Sequence, residues 1–187
     1  MYNLPMENSN RYKIRVIACC AIVAALVCAG TFIRIHLPPV GHVNFGDAFI
    51  LICVYCLQKP QISHIKHLNK SRLRVTDAEV LFALSGGLGS ALCDLLTGYA
   101  HFALATLIIK SLVGLAAIKS VNVKLKVPLF TLAEIIMVAG YFIAEIFLYD
   151  FAYSVTAFLP NCAQGLVAVI IATVVTEAVK RISDRLE

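Results

Sequence analysis

Several ionisable side chains lie in sequence that is otherwise apolar enough for lipid. The stretch from Gly86 to Lys110, GGLGSALCDLLTGYAHFALATLIIK, carries a carboxylate at Asp94, a histidine at His101 and an ammonium group at Lys110. A charged side chain at the centre of a bilayer costs about 2.5–3.5 kcal/mol on insertion scales, so such residues usually serve a function. These residues therefore predict a functional site that is positioned by membrane-spanning helices.

The composition is that of an integral membrane protein. The chain has 187 residues, of which 60% are hydrophobic and 14% charged, and its mean hydropathy is +0.84. Soluble domains are about 45–50% apolar and about 25% charged. We therefore expect one membrane domain over residues 1–187, with the lipid bilayer rather than a nucleic acid as the partner of its basic residues. The first apolar run lacks a clear signal-peptide cleavage site.

Hydropathy predicts an all-α fold, a bundle of six transmembrane helices. A span needs about 20 residues, fewer where flanking groups reach the interface. The predicted spans are 14–32, 45–57, 78–96, 102–118, 129–149 and 158–179. With a cytoplasmic N-terminus, all of the 16 basic residues except Arg34 and Lys110 fall on the inner side. The positive-inside rule then predicts that both termini are cytoplasmic.

The linkers on the two sides differ in composition. The inner linker 58–77 is polar and basic, and Pro60 limits the second span on that side. Because this span is short, we expect it to continue into the linker or to begin slightly before Asp47. Thr76 and Glu79 fit a capping box that opens the third helix. The outer linkers IHLPPVGHVNFGD, TGYAHF and YDFAYSVTAFLPN are rich in Pro, Gly and aromatic residues, and they predict loops folded over the bundle as a lid.

With this topology, most polar side chains of the spans fall in the outer half of the bundle. Thr106 and Lys110 share one face of the fourth helix at i and i+4, as do Tyr141 and Glu145 on the fifth. A few polar groups in an apolar cavity are typical of small-ligand sites. The predicted substrate-binding residues are Asn44, Asp47, Asp94, Tyr99, His101, Thr106, Lys110, Tyr141, Glu145, Asn161 and Gln164.

Structural roles for the same residues stay open at this point. Lys110 either contacts a ligand or pairs with Asp94 or Glu145 in a buried ion pair that fixes helix register. Asp47 and Asn161, which follows Pro160, are alternatively helix caps. Tyr99 and His101 are alternatively interface residues at the depth of the lipid headgroups.

The glycine, cysteine and alanine motifs do not indicate a catalytic or metal-binding site. Glycines 86, 87 and 89 lack the strand and lysine of a phosphate-binding loop, and they predict close helix packing. The seven cysteines lie in or beside apolar runs and are expected to be small buried hydrophobes, with no metal site. No catalytic motif is present, so the chain is not expected to be an enzyme. Ala21, Ala25 and Ala29 repeat every four residues and indicate either packing inside the bundle or a smooth surface for a membrane partner.

Three segments of the sequence resemble a known family. PPVGHVNFGDAF, GGLGSALCDLLTGYAHFALATLIIKSLVG and LPNCAQG are similar to segments of the substrate-binding S components of energy-coupling factor (ECF) vitamin transporters. The resemblance covers nearly the whole chain. It is strongest to the branch of hydroxymethylpyrimidine and riboflavin-transporter-like S components.

The resemblance implies a function, partners and a location. An S component binds a vitamin or precursor (thiamin pyrimidine, pyridoxine or riboflavin-like) near the outer surface of a prokaryotic cell membrane. It docks through an alanine stripe, here Ala21 and Ala25 with Ala29, onto a membrane coupling (T) subunit driven by two cytoplasmic ATPases. It needs no cofactor of its own, because ATP is used by the partner subunits. A standalone secondary carrier and a structural membrane protein are the alternatives.

By position, the resemblance also assigns residues to the vitamin site. Asn44 and Asp47 match the NxGD element of the family. Asp94, Tyr99, Thr106 and Lys110 match its central motif, and Glu145, Asn161 and Gln164 match pocket residues of its last two helices.

Overall fold

The computed structural model describes residues 6–36, 42–65, 77–118, 120 and 124–186, although the side chains of 6–12, 58–65 and 186 lie outside that description. Within these ranges the fold is all-helical apart from one short antiparallel hairpin. The elements are α1 (Met6–Phe32), β1 (Arg34–His36), β2 (His42–Asn44), α2 (Gly46–Ile65), α3 (Asp77–Leu96), α4 (Ala103–Ala117), α5 (Lys126–Leu148) and α6 (Phe151–Leu186).

Four helices are long and apolar enough to cross a membrane: those over Lys13–Phe32, Asp77–Leu96, Lys126–Leu148 and Phe151–Arg185. The apolar part of α2 (Gly46–Leu57) and α4 are shorter. Large apolar side chains are exposed along α3 at Leu84, Leu88 and Leu92. An exposed apolar stripe of this length belongs against lipid, so the chain is a multi-pass membrane protein.

Helix α2 lies at the centre of the bundle. It packs against α1, α3, α4 and α6. Ile50, Leu51, Val54 and Tyr55 are almost completely buried, and so is Asp47 in the first turn. A helix that is apolar on all faces is expected to be surrounded by other helices, and this position explains why the apolar part of α2 is shorter than a lipid-facing span.

The glycines of α3 allow close contact with two neighbouring helices. A Cβ at Gly87 would overlap the Leu107 carbonyl oxygen of α4, and a Cβ at Gly89 would overlap the Ala24 carbonyl oxygen of α1. Small residues allow this approach in membrane bundles, where packing rather than hydrophobicity holds helices together. The prediction that these glycines serve packing is confirmed.

The sixth helix begins earlier than the predicted span 158–179, whereas the second continues into the polar linker, one of the two expectations for it. α2 continues past Pro60 to Ile65, and α6 begins at Phe151 with Pro160 inside it. The Asp150 carboxylate accepts a hydrogen bond from the Tyr153 N–H at 2.7 Å, as an N-cap does. Proline is tolerated inside membrane helices because side chains and neighbouring helices satisfy the freed carbonyl groups.

The outer linkers are more regular than the predicted lid loops. The first forms the β1–β2 hairpin, in which Arg34 lies opposite Asn44. The second is a tight turn at Gly98, whose φ of 85° favours glycine. Most of the third belongs to α6, so that part of the lid prediction was wrong. The basic linker at 66–76, including Thr76 of the capping box, lies outside the described residues.

Candidate ligand-binding site

A cavity of about 120 Å³ lies at the end of the bundle that carries the hairpin and the turns after α3 and α5, called here the hairpin end. Residues from β1, β2 and every helix except α2 line it. They are Thr31, His36, His42, Asn44, Asp94, Tyr99, Phe102, Thr106, Lys110, Tyr141, Glu145, Tyr153, Asn161 and Gln164. The lining includes all of the predicted site residues except Asp47 and His101.

A buried ion pair forms the floor of the cavity. Lys110 Nζ lies 2.5 and 2.6 Å from the two carboxylate oxygens of Asp47, and both side chains are at most 2% exposed. The predicted partners of Lys110, Asp94 and Glu145, were therefore wrong. The alternative that Asp47 serves only as a helix cap is wrong as well.

Gln164 extends this floor to two further elements. Its Nε2 donates a hydrogen bond to Asp47 Oδ2 at 2.7 Å. Its Oε1 accepts one from the Asn44 backbone N–H at 2.9 Å. One network thus ties α2, α4, α6 and β2 together and holds the Gln164 amide in a single orientation. The cavity floor is therefore preorganised.

A second buried ion pair lies at the side of the cavity. Arg34 Nη2 is 2.7 Å from Asp94 Oδ1, and Thr106 Oγ1 donates to Asp94 Oδ2 at 2.6 Å. Tyr141 Oη donates to Thr106 Oγ1 at 3.1 Å. The Arg34 guanidinium also stacks 4.5 Å above the Tyr99 ring. Sequence reasoning counted Arg34 only as an outer-loop charge and missed this role.

Glu145 differs from the other carboxylates of the site. It is 6% exposed, and its Oε1 accepts a hydrogen bond from Asn161 Nδ2 at 3.2 Å. Its Oε2 is buried and has no hydrogen-bond partner within the described part of the chain. The interpretation of Asn161 as a helix cap was wrong, because Asn161 lies inside α6 and faces the cavity.

Aromatic rings form much of the remaining wall. Tyr99, Phe102, Tyr141 and Tyr153 line the cavity. The Lys110 ammonium lies 5.1 Å from the centre of the Tyr141 ring, within the range of a cation–π contact. Flat rings beside fixed polar groups are suited to a flat, polar ligand.

His101 lies outside the cavity lining. It is exposed, and its Nε2 is 2.8 Å from Tyr149 Oη, which places the pair at the rim of the hairpin end. Asp47 also lies outside the lining, but it reaches the cavity through Lys110 and Gln164.

His42 is a cavity residue that sequence reasoning missed. Burial, with smaller contributions from the positive charges of Arg34, His36 and Lys110, lowers its pKa from 6.5 to about 4. The imidazole is therefore neutral at physiological pH and has both a donor and an acceptor nitrogen. Residues two apart on a strand point to the same face. His42 would therefore have been placed beside Asn44 if this linker had been predicted to form a hairpin.

The described residues include no group of three or more His, Cys, Asp or Glu side chains that could hold a metal ion. All seven cysteines are free thiols, and each is buried or half-buried.

Comparison with known proteins identifies the family to which the chain belongs. A family model described as "ECF-type riboflavin transporter, S component" matches residues 80–181, which is more than half of the chain. A search of curated proteins and a search of solved structures returned no match. The matched region contains Asp94, Lys110, Glu145 and Gln164, four of the polar residues around the cavity. This chain therefore belongs to the family of S components of ECF-type riboflavin transporters.

Proposed function

We propose that this chain is the substrate-binding subunit of an ECF-type importer that captures a vitamin or vitamin precursor at the outer face of a prokaryotic cell membrane. The single observation that carries the proposal is the cavity at the hairpin end, which combines a fixed polar floor with aromatic walls. A buried group left unpaired by the wrong ligand costs about 1–3 kcal/mol, so such a floor discriminates between ligands.

The proposed topology has six spans and both termini in the cytoplasm. Lys13 and Arg15 at the start of α1 and Arg181 and Arg185 at the end of α6 would then lie on the inner side, as the positive-inside rule requires. Arg34, on the outer side, is neutralised by Asp94. In this topology the cavity faces the outside.

The proposed docking surface for the coupling subunit is the alanine stripe of α1. Ala21, Ala25 and Ala29 are all exposed, whereas Val23 and Val27 of the same helix are buried. An exposed stripe does not serve packing inside this chain, and small side chains let a second helix approach closely. Two cytoplasmic ATPases would drive the coupling subunit, and this chain would have no catalytic role.

Mass spectrometry of small molecules retained by the protein in mild detergent tests this function. We expect one vitamin-like compound to co-purify at a ratio near one per chain. A structural membrane protein would retain none, and that result would overturn the proposal. Uptake into vesicles that contain this chain alone, without ATP or partner subunits, would show a standalone carrier instead.

A further inference from the structure

Two histidines face each other on the hairpin, at the solvent side of the cavity. His36 of β1 lies directly opposite His42 of β2 in the antiparallel register. Residues in such positions have Cβ atoms about 4.5–5.5 Å apart. The two ring centroids are 6.2 Å apart, and the ring planes are inclined by 46°. Both side chains line the cavity and His36 is exposed, so the pair presents two imidazoles to the same space.

Neither imidazole is engaged by another described residue through a hydrogen bond. His101 differs, because its Nε2 lies 2.8 Å from Tyr149 Oη. Burial, with smaller contributions from nearby positive charges, lowers the pKa of His42 to about 4. One of its ring nitrogens therefore has a free lone pair at neutral pH. A neutral imidazole of this kind is the commonest metal ligand in proteins.

The neighbouring cations do not give the surroundings of the pair a net positive charge. Burial is the largest cause of the lowered pKa of His42, and the charges of Arg34 and Lys110 contribute less. Each of these cations forms an ion pair, Arg34 with Asp94 and Lys110 with Asp47. The repulsion that a positive ion would meet beside the two imidazoles is therefore largely cancelled.

The donor atoms limit the kind of ion. Imidazole nitrogen suits Zn²⁺, Cu²⁺ and Ni²⁺, whereas Mg²⁺ and Ca²⁺ prefer oxygen ligands. A shared ion lies about 2.0–2.1 Å from one nitrogen of each ring, which requires the rings to approach by about 1 Å. Rotation of the side chains allows this, because no hydrogen bond within the described residues holds either ring. The described part of the chain supplies no third His, Cys, Asp or Glu ligand, so water completes the coordination.

We propose that His36 and His42 form a binding site for a divalent transition-metal ion at the solvent side of the cavity. Each imidazole contributes one nitrogen as a ligand. The site does not depend on which compound the cavity binds, and an ion held there stands between the cavity and the surrounding solution.

Isothermal titration calorimetry with NiCl2 tests this site. The protein is purified without a polyhistidine tag and carries His64→Gln and His67→Gln, which remove the two imidazoles of the inner linker. Ni²⁺ is the probe because imidazole suits it, whereas thiolates such as those of the seven free cysteines favour Zn²⁺ and Cu⁺. We expect this background protein to bind one Ni²⁺ per chain and to give no heat of binding with MgCl2.

Substitution of the pair locates the ion. His36→Gln and His42→Gln should each weaken Ni²⁺ binding about tenfold or more, since loss of even a supporting group around a metal costs about 10–100-fold in affinity. The variant with both substitutions should show no binding. His101→Gln is the matched control, because it removes an exposed imidazole at the same end of the bundle, and it should bind as the background protein does. If His42→Gln does not fold, His36→Gln decides, since that side chain is exposed.

Four results would overturn the inference. Absence of Ni²⁺ binding would remove the site, and an unchanged affinity in either His36→Gln or His42→Gln would show that the two rings do not share an ion. An equal loss in His101→Gln would place the ion elsewhere at the hairpin end. Binding of Mg²⁺ with similar affinity would indicate oxygen ligands instead. None of these results bears on the proposed function, which the retained small molecule tests separately.

Discussion

Lys110 and Arg34 are buried cations, each within hydrogen-bonding distance of a carboxylate on a different element. Taking two charges out of water costs several kcal/mol, and the attraction between them roughly offsets that cost. The pairs therefore add little net stability. Removal of one partner is costly, because it leaves the other charge buried and uncompensated.

Lys110→Met should lower the free energy of unfolding by about 3–5 kcal/mol, since it leaves the Asp47 carboxylate unpaired. The double substitution Asp47→Leu with Lys110→Met should regain most of this loss. Denaturant or thermal unfolding in detergent measures both variants.

Lys126→Met is the matched control for this prediction. Lys126 is also buried, but the side chain of its partner Glu177 is 38% exposed and remains hydrated when left alone. A smaller loss is therefore expected. If Lys110→Met costs no more than Lys126→Met, or if the double variant is less stable than Lys110→Met, the buried pair does not behave as described.

His42 gives the protein a dependence of stability on pH. Its pKa is about 4 in the folded protein and 6.5 ordinarily, so the unfolded chain takes up the proton first as the pH falls. Stability is unaffected by this group above pH 6.5 and is lost progressively between about pH 6.5 and 4. At 1.36 kcal/mol for each pKa unit, the full loss is on the order of 3 kcal/mol.

His42→Gln should remove this part of the pH dependence and keep a polar side chain in the cavity. Unfolding of both proteins is compared at pH 7.5, 6 and 5, and the difference between them isolates His42 from the carboxylates. A constant difference across this range would show that burial does not hold the imidazole neutral.

At the scale of elements, α3 depends on close contact with α1 and α4. Gly89→Ala should destabilise the protein by about 1–2 kcal/mol. The better helix propensity of alanine contributes about 1 kcal/mol in its favour. However, the new methyl group would meet the Ala24 backbone, which cannot turn aside as a side chain can, so the upper part of the usual overpacking cost, about 2–3 kcal/mol, applies.

Leu88→Ala is the control for this substitution. Leu88 is the neighbouring residue on α3 and is 49% exposed, so truncation there should change the unfolding free energy little. If Gly89→Ala proved as stable as wild type, α1 and α3 would not be in close contact at Gly89.

The existence of the helices could be predicted from the sequence, but some of their end residues could not. Long apolar runs identified all six, because a membrane requires them. The start of α6 at Phe151 was missed because the aromatic segment YDFAYSVTAFLPN was assigned to an outer linker. The hairpin was missed because β1 and β2 have only three residues each, too few for an alternation pattern.

The composition of the site was easier to predict than its pairing. Polar side chains in apolar sequence identified Asn44, Asp94, Lys110 and Gln164 as cavity residues. The predicted depth in the membrane did not identify the partner of Lys110, because the carboxylates of Asp47, Asp94 and Glu145 all lie in the outer half of the bundle. The buried position of α2, which brings Asp47 beneath the cavity, decides the pairing and follows only from how the six helices pack.

At the scale of the whole molecule, the exposed stripe of α1 is available to a partner. Ala25→Trp should abolish ATP-dependent uptake by the complete transporter, because a bulky ring prevents the close approach of another helix. Ligand binding by the isolated chain should be unchanged. Uptake and binding are measured on the same preparation.

Leu132→Trp, at another exposed apolar position on α5, should leave uptake unchanged. Uptake that survives Ala25→Trp, or that is lost equally in Leu132→Trp, would place the docking surface elsewhere.

The most direct test of the site is the affinity of purified Gln164→Ala for the small molecule that co-purifies with wild type. Gln164 joins the cavity floor to α2 and β2, so its loss leaves Asp47 and the Asn44 N–H with one partner fewer each and disorders the floor that a ligand would meet. We predict that Kd rises about tenfold or more, as loss of a buried hydrogen bond implies. Glu177→Ala, on the same helix and outside the cavity lining, should bind as wild type does. An unchanged Kd in Gln164→Ala would contradict the assignment of this cavity as the ligand-binding site.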